Sequence, residues 1–167
     1  MALTENRVTR SREGKTFDFA VAANKHIYAG SLVNLSVAGY AEPATNEALI
    51  TFLGVALAEV NNNPGLAGAK KVRVSLVGTH LFNKSAAIQA DVGKNMYVVD
   101  DQTVGLAAAV DHDLKVGRCI GIEDSSHVWV AIDNPGAVPG AVVTTTTTTT
   151  TTSSSTTTTS TTTTTTT

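Results

Sequence analysis

The amino-acid sequence predicts a mainly β protein with a compact barrel or sandwich as its body. Residues 16–134 are a series of short, β-branched runs separated by Gly, Asn, Asp and Pro. Several of these runs alternate apolar and polar side chains, which is the period of a strand with one buried face. The last 24 of the 167 residues are threonine and serine alone, so they cannot form a hydrophobic core.

Composition divides the chain into four segments. Residues 1–15 form a polar N-terminal arm, residues 16–134 the β-rich body, residues 135–143 a Pro/Gly linker, and residues 144–167 a Thr/Ser tail. The body has the usual length of one domain. We therefore expect one folded unit that carries an extended arm and a low-complexity poly-Thr tail.

The first strands follow from alternation and turn residues. In "KTFDFAVAA", Phe17, Phe19 and Val21 share one face, which we expect to be buried. The segment "SLVNLSVAGYAEPA" predicts a strand, a Gly turn and a short return strand.

The segment "TNEALITFLGVALAEV" allows two structures. Its apolar residues have helical spacing, and Thr45 or Asn46 is a candidate N-cap. Gly54 lies in the middle of the segment and disfavours a helix, so we expect a buried strand from about Thr51.

The remaining strands lie in the second half of the body. "KKVRVSLVG" places Val72, Val74 and Leu76 inward. "NMYVVDDQTVGLAAA" predicts a hairpin that turns at Asp100 and Asp101, and "KVGRCIGIEDSSHVWVAID" predicts two strands around an acidic turn.

A weak internal repeat is also visible. "GSLVNLSVAGYAEPAT…FLGVALAEV" and "GKNMYVVDDQTVGLAAA…RCIGIEDS" share the order Gly, strand, turn, Ala-rich return and apolar-Gly-apolar strand. Two similar β units around one core would give a barrel or a sandwich.

The sequence predicts no catalytic, cofactor or metal site, and we do not expect an enzyme. Cys119 is the single cysteine and lies in an apolar run, which indicates a buried structural thiol. The cluster Asp111–Asp113 has the composition of a solvated turn. Charged residues are too few and too dispersed for nucleic-acid binding, and no apolar run is long enough for a membrane span or a secretory signal. Trp129, in the last strand, is a candidate core or subunit-interface residue.

Taken in order, "HIYAGSLVNLSVAGYAEPAT", "FLGVALAEV", "KVRVSLVGTHLF", "VGKNMYVVDDQTVGLAAA" and "KVGRCIGIEDSSHVWVAI" resemble the capsid decoration, or cement, proteins of tailed bacteriophages in the DUF2190 family. The resemblance covers roughly Phe17 to Ile132. It implies a β-tulip-like fold similar to lambda-type head decoration proteins and a homotrimer on the outer capsid surface of the virion. It also implies an N-terminal arm that contacts the major capsid protein.

The arm suits that role because it carries excess positive charge, and we expect Arg7, Arg10 and Arg12 to dock on acidic capsid residues. The rival hypothesis is an extracellular filament or surface-layer subunit that polymerises through the same β body. The lack of a signal peptide argues against this rival.

The tail is not part of the resemblance, and three interpretations of it stay open. It is a disordered polar bristle, an O-glycan acceptor, or a fibre in which identical tails pair through threonine ladders. Candidate glycosylation positions are Thr144, Thr150, Ser153 and Thr156.

Overall fold

The computed structural model describes residues 15–133, and it is mainly β, as predicted. The N-terminal arm up to residue 14, the linker and the tail lie outside the described residues. Twelve strands are described: β1 Thr16–Ala20, β2 His26–Ile27, β3 Leu32–Leu35, β4 Ala41–Pro43, β5 Thr51–Ala56, β6 Val60–Asn61, β7 Lys71–Ser75, β8 Val77–Asn83, β9 Asn95–Val98, β10 Val104–Gly105, β11 Lys115–Asp124 and β12 His127–Asp133. Two short 3₁₀ turns, Gln89–Asp91 and Ala107–Ala109, complete the described structure, and no helix within residues 15–133 has the length and hydrophobicity of a membrane span.

The strands form two five-stranded antiparallel sheets with the same topology. The first sheet has the order β1-β7-β5-β3-β4 and the second the order β8-β12-β11-β9-β10. Strands β2 and β6 pair separately. When the five strands of each sheet are numbered in chain order, both sheets have the order first, fifth, fourth, second and third. We call residues 16–75 the first repeat and residues 77–133 the second repeat.

Each sheet curls into a half-barrel. A parallel bridge between Val21 and Ala41 brings the end of β1 to the start of β4. A similar bridge between Asn83 and Thr103 brings the end of β8 to the residue before β10. The predicted barrel-like body therefore consists of two curled sheets, each with its outer strands close together at one end.

Hydrogen bonds confirm the predicted repeat and give an offset of 63 residues for the first four strands of each sheet. The offset is 56 for the last strand, because Val55 pairs with Ser75 where Arg118 pairs with Ala131. The backbone N–H of Gly30 donates to Ala56 O at 2.8 Å, and the N–H of Gly93 donates to Cys119 O at 2.7 Å. Gly30 and Gly93 also share a positive φ, 83° and 88°, which glycine adopts without a steric penalty. The equivalence continues through β5 and β11, where Gly54 corresponds to Gly117. The sequence pattern aligns "FLGVA" with "RCIGI" and so predicts that Gly121 is equivalent to Gly54. The structure shows that Gly117 is the equivalent residue.

The interior consists of two apolar clusters rather than one core. The first lies inside the curl of the first sheet, and the second lies inside the curl of the second sheet. The first cluster contains Val21, Ile27, Val33, Ala41, Leu53, Ala56, Val72 and Val74. The second contains Phe82, Ala87, Met96, Val98, Val104, Val116, Cys119, Val128, Val130 and Ile132, together with four residues of the first repeat.

Those four residues show how the repeats pack. Leu32, Ala44, Phe52 and Val55 belong to the first repeat, and Leu32 and Val55 are neighbours on the face of the first sheet opposite to its own cluster. The outer face of the first sheet thus closes the core of the second repeat. Burial of each large side chain here contributes roughly 1.5–3 kcal/mol.

Asn46 links the two repeats by hydrogen bonds. Its amide nitrogen donates to Val98 O at 2.9 Å and to His112 O at 2.8 Å. Its amide oxygen accepts from the N–H groups of Asp111 and His112, both at 3.0 Å. The helix that Asn46 would cap does not form, and the preferred strand from Thr51 is confirmed.

Most of the predicted strands are confirmed, with three differences. The strand β8 and the small β2–β6 pair were not predicted. Phe17 lies on the predicted face but is 46% exposed, because β1 is an edge strand and Phe17 lies near its start. Leu76 lies just after β7 and is half-buried against the first cluster.

The two ends of the described chain lie side by side. The carbonyl of Lys15 accepts a hydrogen bond of 2.9 Å from the N–H of Leu76. Asp133, at the end of β12, pairs with Val77. Because Leu76 and Val77 are consecutive, the chain enters and leaves the body at the same place.

Candidate functional site

A polar cluster lies at the turn between β11 and β12. Asp124, Ser126 and His127 have the residue types of a hydrolytic triad, but the carboxylate and the hydroxyl both contact the same ring nitrogen, Nδ1 of His127. A triad needs the base to contact the nucleophile through one nitrogen and the acid through the other. These residues instead close the acidic turn between β11 and β12. Hydrogen bonds from the Ser126 N–H and from His127 lower the pKa of Asp124 to about 2.

The segment Asp111–Asp113 is an exposed loop, as predicted. The N–H groups of Asp111 and His112 bind Asn46, so the loop holds the repeats together. Within residues 15–133, no three His, Cys, Asp or Glu side chains are grouped as metal ligands. Cys119 is fully buried in the second cluster, which confirms the predicted structural thiol.

One buried ion pair lies in the second repeat. Lys84 Nζ is 2.8 Å from Asp91 Oδ2, and both side chains are buried. Lys94 Nζ contacts the other carboxylate oxygen at 3.1 Å, and the Ile88 N–H donates to Oδ2. These contacts, led by the hydrogen bond from Lys84, lower the pKa of Asp91 to about 2 despite its burial. The position equivalent to Lys84 in the first repeat is Val21, a core residue.

His80 is a half-buried titratable group. It lies on β8 opposite the buried Val130, and the equivalent residue in the first repeat is Phe17. Its Nε2 is buried without a hydrogen-bond partner among the described residues. Burial lowers the pKa of His80, and a hydrogen bond with the Val77 backbone only partly opposes the shift.

The candidate site is the outer face of the second sheet, which we define as the face that carries Leu81, Arg118 and Trp129. Trp129 pairs with Leu81 on β8 and with Gly121 on β11. Leu81 is 41% exposed and Trp129 is 37% exposed, so Trp129 is not a core residue of the chain. Ile120, in the bulge beside Gly121, is also exposed. The Trp129 Nε1 donates to Glu123 Oε2 at 2.8 Å.

The first repeat carries different side chains at the positions equivalent to Leu81 and Trp129. The residues equivalent to Leu81 and Trp129 are Asp18 and Arg73, which face each other across β1 and β7. They form an exposed bidentate ion pair, with Arg73 Nε 2.8 Å from Asp18 Oδ1. The same backbone position thus holds an ion pair in one repeat and an apolar pair in the other. The fold itself does not need apolar side chains here.

A shallow depression of about 450 Å³ lies on the same sheet, and its lining residues are Gly93, Lys94, Asn95, Tyr97, Leu106, Ala107, Ala108 and Arg118. Asn95 and Arg118 are equivalent to Leu32 and Val55, the residues through which the first sheet packs on the second repeat. The second sheet is therefore polar and exposed where the first is apolar and buried.

The other predicted site residues are not tested by the structure. Arg7, Arg10 and Arg12 lie in the arm outside the described residues, as do Thr144, Thr150, Ser153 and Thr156 in the tail. Sequence reasoning found Trp129 but missed its neighbours Leu81 and Ile120. Only an alignment of the repeats over their full length would have shown that Asp18 and Arg73 correspond to Leu81 and Trp129.

No protein-family model matches the chain, and no curated protein matches it. The resemblance to the DUF2190 decoration proteins therefore stays a prediction. Among solved structures, the chain is similar to the N base of the head fiber protein gp8.5 of bacteriophage phi29. The two sequences are 17% identical, the TM-score is 0.43, and the match covers 74% of this chain and 98% of that chain. A TM-score of this size is below the level that indicates a shared fold.

Proposed function

We propose that this chain is a structural virion protein that binds the outer surface of a tailed-phage capsid and displays the Thr/Ser tail from it. In this proposal the major capsid protein is the partner of the arm, and copies of the chain associate as a homotrimer. The sequence resemblance supports the capsid role.

The position of the chain ends is the observation that carries this proposal. Lys15 and Asp133 border the consecutive residues Leu76 and Val77. The chain consequently enters from the arm and leaves toward the linker at one place on a two-repeat β body. A body of this kind serves as a base that holds an attachment segment and a projecting segment together.

The arm is long enough to reach a capsid even though it leaves the body beside the linker that leads to the tail. A body of this size has a radius of gyration of about 14 Å and is roughly 35 Å across. Fourteen residues reach at most about 46 Å when fully extended. The arm is therefore long enough to cross the body and contact a capsid beneath it.

Charge is the expected source of the arm's affinity. Arg10 and Arg12 are two residues apart and Arg7 precedes Arg10 by three, and the arm holds two acids, Glu5 and Glu13, against them. An extended basic segment adds well to an acidic surface or to the free edge of a sheet. Binding through these arginines should weaken as salt is raised.

The test is binding of the full-length chain to capsids that lack it, measured by co-sedimentation at low and moderate salt. The decisive variant replaces Arg7, Arg10 and Arg12 by Glu, and the matched control replaces all three by Lys. We expect at least a tenfold loss of affinity for the Glu variant and a much smaller loss for the Lys variant, which keeps the charge.

Equal binding of the native chain and the Glu variant would refute the docking role of the arm. Absence of native binding to the capsid, together with helical filaments made of this chain alone, would refute the capsid role and favour the filament hypothesis. Intact-mass measurement of the native chain against 17.3 kDa then shows whether the tail carries sugars.

A further inference from the structure

We infer that the outer face of the second sheet, centred on Leu81 and Trp129, is the surface through which a second copy of this chain binds. The inference goes beyond the proposed function, because it describes a face-to-face contact between two copies that is separate from the trimer contact proposed there. It does not depend on capsid binding.

The first argument comes from the comparison of the two repeats. An exposed Asp18–Arg73 ion pair occupies this position in the first sheet. In the second sheet the same position holds Leu81 and Trp129, and Ile120 extends the apolar surface. Apolar side chains that the fold does not require, placed together on an exposed sheet face, are typical of an interaction surface. The tryptophan makes the centre of this surface a candidate hot spot.

The second argument is that Trp129 can be covered without loss of a hydrogen bond. Its only polar atom already donates to Glu123 within the same chain. A partner that covers the ring therefore leaves no buried donor without an acceptor, which would otherwise cost about 1–3 kcal/mol.

The third argument is charge complementarity of the face with itself. Lys115 and Arg118 lie towards one end of β11, and Glu123 and Asp124 lie at its other end, with the apolar residues between them. Arg118 and Glu123 are about 16 Å apart along the strand. When two such faces meet with their strands antiparallel, the basic end of each copy faces the acidic end of the other. A self-complementary face of this kind suits contact between two identical chains about a two-fold axis.

The fourth argument is where the rest of the chain begins. Trp129 and Asp133 lie on the same strand, about 13 Å apart. In the antiparallel arrangement the two β12 strands run in opposite directions from Trp129, so the C-terminal ends of the two bodies lie roughly 26 Å apart. Asn134 and the nine-residue linker can together extend to about 33 Å, which is enough to bring the Thr/Ser tails of different copies side by side.

The first experiment needs no substitution, because Trp129 is the only tryptophan in the chain. Sedimentation velocity of the full chain over a hundredfold range of concentration gives the oligomeric state, and acrylamide quenching of fluorescence is measured on the same samples. We expect quenching to fall severalfold as the oligomer forms. A monomer at every concentration, or an oligomer in which quenching equals that of the monomer, would overturn the inference.

The second experiment transfers the ion pair of the first repeat into the second. The double variant Leu81→Asp with Trp129→Arg recreates the Asp18–Arg73 arrangement, which the equivalent backbone of the first repeat accommodates. Circular dichroism serves as the control for folding. We expect its dissociation constant to rise at least a hundredfold. Ile120→Ser provides a milder variant, and Leu57→Ser is its matched control, because Leu57 is the equivalent residue of the first repeat and is equally exposed.

Self-association of the double variant with native affinity would overturn the inference, as would equal weakening by Ile120→Ser and Leu57→Ser. Capsid binding separates this inference from the proposed function. A chain that self-associates through Trp129 but does not bind capsids would refute the capsid role alone.

Discussion

Gly54 and Gly117 occupy the same position in the two sheets. Each follows a one-residue bulge, at Leu53 in β5 and at Val116 in β11. A Cβ atom at Gly54 would lie 2.0 Å from the carbonyl oxygen of Ser75, and one at Gly117 would lie 2.1 Å from that of Ala131. In both repeats a glycine therefore permits two strands to approach closely beside a bulge.

The first prediction concerns this close approach. Gly117→Ala should lower the free energy of unfolding by about 3 kcal/mol, because β11 and β12 must separate to accommodate the methyl group. Gly121→Ala on the same strand is the control, since its Cβ would have its nearest contact at 3.8 Å, an ordinary distance. Urea unfolding followed by circular dichroism measures both. Equal stabilities of the two variants would show that the strands are not held at this distance.

The second prediction concerns Asn46 as the link between the repeats. Asn46→Ala removes four hydrogen bonds and should cost about 2–4 kcal/mol of stability. Asn46→Asp should cost more, because a carboxylate would face the carbonyl oxygens of Val98 and His112. Hydrogen exchange of the loop at Asp111 and His112 should increase in both variants. Unchanged exchange there would contradict the linking role.

The third prediction concerns His80 and pH. The pKa of folded His80 is below its ordinary value of 6.5, so the unfolded chain takes up the proton first as the pH falls. The stability that neutral His80 provides is complete above about pH 6.5 and decreases below it. His80→Phe, which copies Phe17 of the first repeat, should remove this dependence. Chemical unfolding at pH 7.5 and pH 5 measures it, and an identical pH slope in the native chain and the variant would contradict the prediction.

The fourth prediction concerns the Lys84–Asp91 pair. Asp91→Asn leaves Lys84 buried without its counter-ion and should cost about 3–5 kcal/mol. Because the pKa of Asp91 falls from 3.8 to about 2 on folding, its contribution is present above pH 3.8 and is lost as the pH falls through about 2.

Two variants test the fourth prediction further. Asp124→Asn is the control, because Asp124 has a similar pKa but is exposed, and it should change stability much less. The double variant Lys84→Val with Asp91→Val removes both charges and should recover most of the loss, as Val21 is already apolar in the first repeat. A native-like Asp91→Asn variant would show that the pair is not a source of stability. A double variant no more stable than Asp91→Asn would show that the unpaired charge of Lys84 does not cause the loss.

The sequence by itself determined the class of the fold and most of its strands. Alternation places Val72 and Val74 inward whatever lies beyond them, because successive residues of a strand point to opposite faces. The same local rules indicate the turn at Asp100 and the strand from Thr51. They also bring out the weak repeat, because both copies keep the same order of glycines and apolar runs.

Only the tertiary structure decided how the repeats are used. Leu32 and Val55 look like core residues of their own strand pair, yet they close the core of the other repeat. Leu81 and Trp129 are 48 residues apart in sequence and become neighbours only when β8 pairs with β12. Such contacts depend on which strands meet and which face is covered, and neither is encoded in the local period of a single strand.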